Sequence, residues 1–151
     1  MELKGKKVIA LGERDGIQGD TIAKAAESAG AEVVLQVTHC FVWTSAGAID
    51  LDGQEELKQT VEKVGKDDLV VLLGTPNAES SELYAVTLKD GDPSWAGALA
   101  GIQLELPVYH VTEEEIKNQI NPELYADELE VAEMVLEVDE ISESVKKVRE
   151  S

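Results

Sequence analysis

The sequence predicts one α/β domain over residues 1–151, an open, mostly parallel sheet of about four strands with helices on both faces. Two observations predict it. Four short apolar runs, at residues 6–12, 31–37, 68–74 and 106–111, alternate with stretches of helical periodicity. The runs are near-continuously apolar, as strands covered on both sides are. Strand–helix–strand order then implies right-handed βαβ units.

"KKVIALG" (6–12) is the first strand, closed by a glycine. Ile22, Ala25, Ala26 and Ala29 recur at helical spacing from Asp20 onward, with Gly30 as the stop. "AEVVLQV" (31–37) is the second strand, and Leu57, Val61 and Val64 mark a helix ended by Gly65. "DLVVLLG" (68–74), the most apolar run, is expected to be central. Thr75-Pro76 reads as an N-cap with proline in the first helical position, before a helix through Leu83 and Val86. "GDPSWAGALAG" (91–101) reads as a loop plus a tightly packed turn, and "LPVYHV" (106–111) as the fourth strand.

Thr112 with Glu115 suggests a capping box before a short helix. C-terminal helices follow from about residue 121. Asn121-Pro122 opens one with Leu124, Ala132 and Leu136 on one side, and the last carries Ile141, Val145 and Val148. Lys146, Lys147 and Arg149 lie in its final turns, where cations suit the helix dipole. The whole reads as a flavodoxin-like open sheet, with no repeat and no second domain.

Thirteen Lys and Arg against 31 Asp and Glu leave a net charge of −18. Such a field repels phosphate backbones and anionic lipid, so neither nucleic acid nor a membrane surface is expected as a partner. It favours a partner with a basic patch, and solubility alone also accounts for it. One cysteine excludes a disulfide framework and suits a reducing compartment. With no signal-peptide pattern and no run of transmembrane length, a cytoplasmic protein is expected.

Ligands and reactive groups of an open parallel sheet gather beyond the carboxyl ends of its strands. "GERDGIQG", "HCFVWTS", "GTPNA" and "HVTEE" should meet there. Cys40 is the candidate nucleophile. Thr44 or Ser45 could cap a helix just beyond it, whose N-terminal N–H groups would favour a thiolate. The competing reading is a buried, inert cysteine with Trp43 as a packing residue.

"GERDGIQGD" matches neither dinucleotide nor Walker loop, and its acids Glu13, Asp15 and Asp20 oppose phosphate, so a tight βα turn is expected. A receiver-domain reading needs an aspartate after the third strand, where Gly74-Thr75 stands. His39 and His110 fall at the same edge and could orient or protonate a group, but a hydrogen-bonded structural role is the default expectation for each. Two histidines and one cysteine have no recognisable metal-ligand spacing, so no metal is expected.

The stretches "GKKVIALGERDGIQG", "AGAEVV", "CFVWTSAGAIDL", "GDPSWAGALAG" and "MVLEVDEI" resemble, in the same order, the selenoprotein A family of the glycine, sarcosine and betaine reductase complexes. The likeness covers nearly the whole chain. That family carries a C-x-x-U motif whose cysteine aligns with Cys40 and whose selenocysteine falls on Trp43. Selenocysteine is encoded by UGA, which other readings of the code translate as tryptophan.

The resemblance implies a carrier whose selenol takes a carboxymethyl group from protein B and passes it to protein C, towards acetyl phosphate. It also implies a selenium–sulfur bridge to the cysteine, reduced by thioredoxin. No dissociable cofactor is implied, only selenium within the chain. Cys40 and the Trp43 position are then the catalytic pair, with His39, Thr44 and Ser45 as support, and the tryptophan form is expected to be inactive. The alternative is a non-catalytic flavodoxin-like module for a ligand or partner. Flavin is its natural ligand, although "GERDGIQG" lacks the hydroxyl-rich phosphate loop.

Overall fold

A computed structural model describes residues 1–39, 49–92 and 97–151. They form β1 (Lys7–Glu13), α1 (Gly19–Ser28), β2 (Glu32–His39), α2 (Leu51–Val64), β3 (Leu69–Leu73), α3 (Ala78–Asp90) and β4 (Val108–His110). Four further helices follow: α4 (Glu114–Lys117), α5 (Pro122–Glu128), α6 (Glu130–Val135) and α7 (Val138–Arg149). All strand pairs are parallel, in the order β2-β1-β3-β4. The chain thus has the predicted open, flavodoxin-like α/β sheet, with β1 and β3 central.

Side-chain alternation along the strands divides the core in two. Ile9, Leu11, Val71, Leu73 and Val108 pack with Leu57, Val61, Tyr84, Leu88 and Val145 from α2, α3 and α7. Val8, Ala10, Val70, Leu72 and Tyr109 pack with Ile22, Ala26, Ile116 and Tyr125 on the other side. Burial on both faces is why these strands read as continuous apolar runs.

Two predicted helix starts are corrected, and a third predicted helix is divided. The cap of α3 is Asn77, whose Oδ1 accepts from Ser80 N at 2.8 Å, not Thr75. The Thr75 hydroxyl is instead buried against Ser81 Oγ. The Thr112–Glu115 capping box does not form. Thr112 Oγ1 bonds His110 Nδ1 at 2.7 Å, and Glu115 pairs with the N-terminal ammonium at 2.9 Å. Asn121 does cap α5, with Pro122 in its first turn, but fully buried Leu129 breaks the expected helix into α5 and α6.

The fourth strand is shorter than its apolar run because Pro107 has no N–H for the ladder, and only its carbonyl bonds to Val71 N, at 3.0 Å. Arg149 does more than answer the helix dipole. Its guanidinium forms an ion pair with Glu113 and lies 3.8 Å from the centre of the Tyr109 ring. No helix among the described residues is long and apolar enough to cross a membrane.

Candidate functional site

At the carboxyl edge of the sheet, β1 ends at Glu13, β2 at His39, β3 at Leu73 and β4 at His110. Cys40 follows His39 directly in sequence. Cys40, Trp43, Thr44 and Ser45 themselves lie outside the described residues, so the helix-capping expectation for Thr44 and Ser45 does too. α2, the next described helix, takes Asp50 as its cap, Oδ1 accepting from Gly53 N at 2.6 Å.

His39 is the described end of the predicted catalytic stretch. It is register-paired with Glu13, and its carbonyl accepts from Arg14 N at 2.8 Å, which fixes the strand end. Its Nδ1 lies 3.3 Å from the Tyr84 hydroxyl of α3, and its Nε2 faces the first turn of α2, where a Cβ added at Gly53 would lie 3.2 Å away. Burial lowers the His39 pKa, partly offset by Asp50 and Glu56, so the imidazole is held towards neutral. Burial raises the Tyr84 pKa, with Glu13 and Asp50 adding to it, so the phenol keeps its proton.

Glu13 completes this group. It is only 5% exposed. Burial, then repulsion from Asp15, raises its pKa. Glu13, His39 and Tyr84 are thus three groups able to hold or pass a proton just before residue 40. In the sequence Glu13 reads as an obstacle to phosphate or, with Asp15, as part of a receiver-like acidic cluster, and Tyr84 is missed, because nothing in a helix's periodicity reveals which strand end lies beneath it.

A carboxyl with a raised folded-state pKa costs stability above its unfolded pKa, and the cost fades on acidification. Glu13→Gln is therefore expected to be more stable than the parent at pH 7.5 in urea unfolding, the gain shrinking towards pH 4.5. A variant less stable at pH 7.5 would show that the carboxylate has a stabilising partner.

"GERDGIQG" is the expected tight turn. Ile17 O accepts from Glu13 N at 2.9 Å, Gly16 N donates to Glu13 O at 3.0 Å, and Ile17 N donates to Gly74 O at 2.8 Å. A Cβ on Gly16 would meet Gly74 O at 2.1 Å, so only glycine fits this β1–β3 contact.

His110 has the structural, hydrogen-bonded role expected of it by default. It is fully buried, and Nε2 lies 2.9 Å from Thr75 O, which only accepts, so Nε2 carries the proton. Nδ1 then accepts from Thr112 N at 3.2 Å and from its hydroxyl at 2.7 Å. Burial lowers its pKa to about 4. Between there and the ordinary imidazole value the unfolded chain binds the extra proton, so stability falls as pH falls. We expect the parent to lose about 3 kcal/mol more than His110→Gln between pH 7 and 4. Parallel pH–stability curves in urea would refute it.

Of "GDPSWAGALAG", residues 93–96 lie outside the described residues. The remainder holds the predicted turn, with Gly97 and Gly101 at positive φ and Ile102 N donating to Leu99 O at 3.2 Å. Fully buried Gln54 ties it down. Its Oε1 accepts from Leu99 N at 3.0 Å, and its Nε2 donates to Ile49 O at 3.0 Å. Gln54 thereby joins α2, the 97–101 turn and the chain leaving the cysteine stretch, a role its exposed-looking sequence context conceals. Among the described residues no three His, Cys, Asp or Glu side chains are placed to hold a metal.

Comparison with known proteins agrees with the resemblance. A family model described as glycine reductase complex selenoprotein A matches residues 3–149. The glycine/sarcosine/betaine reductase complex component A of Symbiobacterium thermophilum is 53% identical over 150 residues, covering 99% of this chain and 97% of the relative. The component of that name from Gottschalkia purinilytica is 51% identical over 149 residues, covering 99% of both chains. That of Treponema denticola is 50% identical over 149 residues, covering 99% of this chain and 95% of the relative. No solved structure matches. Matched along almost its full length, the chain belongs to the selenoprotein A family of the glycine reductase complex, as a component of the glycine/sarcosine/betaine reductase complex.

Proposed function

We propose that this component is the redox carrier of its complex, working through residues 40 and 43 in a cytoplasmic compartment. In the selenocysteine form, the selenolate attacks the α-carbon of a substrate held as a Schiff base on protein B. The carbon–selenium bond forms as the carbon–nitrogen bond breaks, and the amine leaves with the electron pair. Protein C takes the two-carbon group on towards acetyl phosphate. The two electrons that reduce the group come from selenium and sulfur, which end as a Se–S bridge between positions 43 and 40. Thioredoxin dithiol returns them to selenol and thiol.

The observation that carries this reading is the C-x-x-W spacing directly after β2, where Glu13, His39 and Tyr84 gather at the carboxyl edge. A selenol is more acidic than a thiol and remains strongly nucleophilic, so position 43 is the attacking half and Cys40 the resolving half. Indole supplies neither nucleophile nor bridge, so the Trp43 form does not turn over. Two measurements test the reading. The codon for residue 43 in the source gene is expected to be UGA. The selenocysteine form, given protein B and glycine, is expected to gain a carboxymethyl group on residue 43 by peptide mass spectrometry. Modification elsewhere, or none, would refute the carrier role.

A further inference from the structure

Helix α6, "EVAEMV", is apolar by sequence yet buries none of its residues. Ala132 and, just beyond the helix, Leu136 pack partly against the core on the α1 side, as their spacing predicts. The other apolar residues face water, Val131 at 72%, Met134 at 80% and Val135 at 75% exposure. They are three of the six large exposed apolar side chains among the described residues, and their i, i+3, i+4 spacing puts them on one face. Beside them runs a groove of about 630 Å³ whose apolar lining, Ile120, Pro122, Tyr125 and Met134, is flanked by Lys117, Glu130 and Glu133. Single exposed apolar residues need no explanation, but an apolar ridge beside a groove marks an interaction surface.

The charge around this ridge selects its occupant. Residues 117–145 contain nine Asp and Glu against a single basic residue, Lys117, which lines the groove and is already paired with Glu133 at 2.8 Å. Crowding is local as well, because Glu137 and Glu143 hold the pKa of Glu140 above the ordinary carboxyl value. A second copy would set two such acidic surrounds against each other, and nucleic acid or anionic lipid would be repelled likewise. A protein whose apolar side chain sits within a ring of lysine and arginine meets the ridge, enters the groove and relieves the repulsion.

We infer that the α6 face docks another protein component of the reductase complex, one that presents an apolar side chain ringed by basic residues. This rests on membership of the complex and not on the selenium chemistry. The surface is also apart from the carboxyl end of β2, which leads into Cys40 in sequence. α6 is tied by Glu133 to Lys117 of α4, at 2.8 Å, and α4 follows β4, the edge strand opposite β2. Docking and chemistry can therefore be disabled independently.

The test is calorimetric titration of the full chain against each of the other purified components. The variant Val131→Ser/Met134→Gln/Val135→Ser is expected to raise the Kd for one component about tenfold or more, with an unchanged thermal melt because all three side chains are in water. Added salt should weaken the parent's binding, and Glu137→Gln/Glu140→Gln should flatten that dependence. No binding of the parent to any component, or unchanged affinity in the triple variant, would overturn the proposal. So would a dimer seen by sedimentation that the triple variant abolishes, since a second copy would then be the occupant. Should the triple variant fail to fold, hydrogen exchange on the parent decides. Protection of residues 130–136 on adding a component supports docking there, and its absence refutes it.

Discussion

Combined with components B and C, glycine, phosphate and a thioredoxin reducing system, the chain with verified tryptophan at position 43 is expected to form no acetyl phosphate above the protein-free background. The selenocysteine form should exceed it by about 10³-fold or more, since the group that makes and breaks the bond is absent from indole. Trp43→Cys separates geometry from chemistry. A thiol at 43 should form an intramolecular disulfide with Cys40 that thioredoxin reduces, while turnover stays well below the selenium form. Failure to form that disulfide under mild oxidation would show that positions 40 and 43 do not approach. Acetyl phosphate from the tryptophan form would place the reacting group elsewhere.

The largest expected loss of stability follows from Arg149→Ala. Nη1 and Nη2 of Arg149 donate to Glu113 Oε2 at 3.1 Å and Oε1 at 3.0 Å, and Nη1 also donates to Val108 O at 2.9 Å. Glu113 Oε2 in turn accepts from His110 N at 2.8 Å, so the last turn of α7 is fastened to the edge strand and to the turn that holds His110. With Glu113 only 6% exposed, removing the guanidinium leaves an uncompensated buried carboxylate. Urea unfolding at pH 7 should register a loss of about 3 kcal/mol or more. Arg149→Lys should restore little of it, because an ammonium cannot make the forked pair or stack on Tyr109. Arg149→Met with Glu113→Gln should recover much of it, since no lone charge then remains. A loss below about 1 kcal/mol in Arg149→Ala would show the pair to be an ordinary surface bridge.

The contrast between these two predictions reflects what a sequence displays. The stretches that carry the family resemblance, the C-x-x-W spacing among them, are continuous in sequence, so the chemistry that the resemblance implies is legible without the fold. The Arg149–Glu113 pair joins residues 36 apart in sequence, and in the sequence Arg149 is simply a cation in the last turn of a helix. The same blindness hid Tyr84 and Gln54. Each sits on a helix whose periodicity shows that one face is buried, but not which strand end or turn that face meets.

Local reading also failed where a side chain had a better distant partner. Thr112 and Glu115 have the spacing of a capping box, but the buried imidazole of His110 takes the hydroxyl and the N-terminal ammonium takes the carboxylate. Thr75 could cap α3, but its hydroxyl is buried against Ser81, and Asn77 supplies the cap. Capping contributes only about 1 kcal/mol, so burying an unpaired polar group outweighs it.

The sequence by itself determined the α/β class, the parallel sheet, and the position of Cys40 just beyond a strand. These depend on apolar runs, helical spacing and chain order, all of which are local. Only the tertiary structure decided that Glu13, His39 and Tyr84 converge at the end of β2 and that the ridge on α6 stays in water. The physical reason is that strand order, and which helix covers which face, are set by packing between residues distant in the chain.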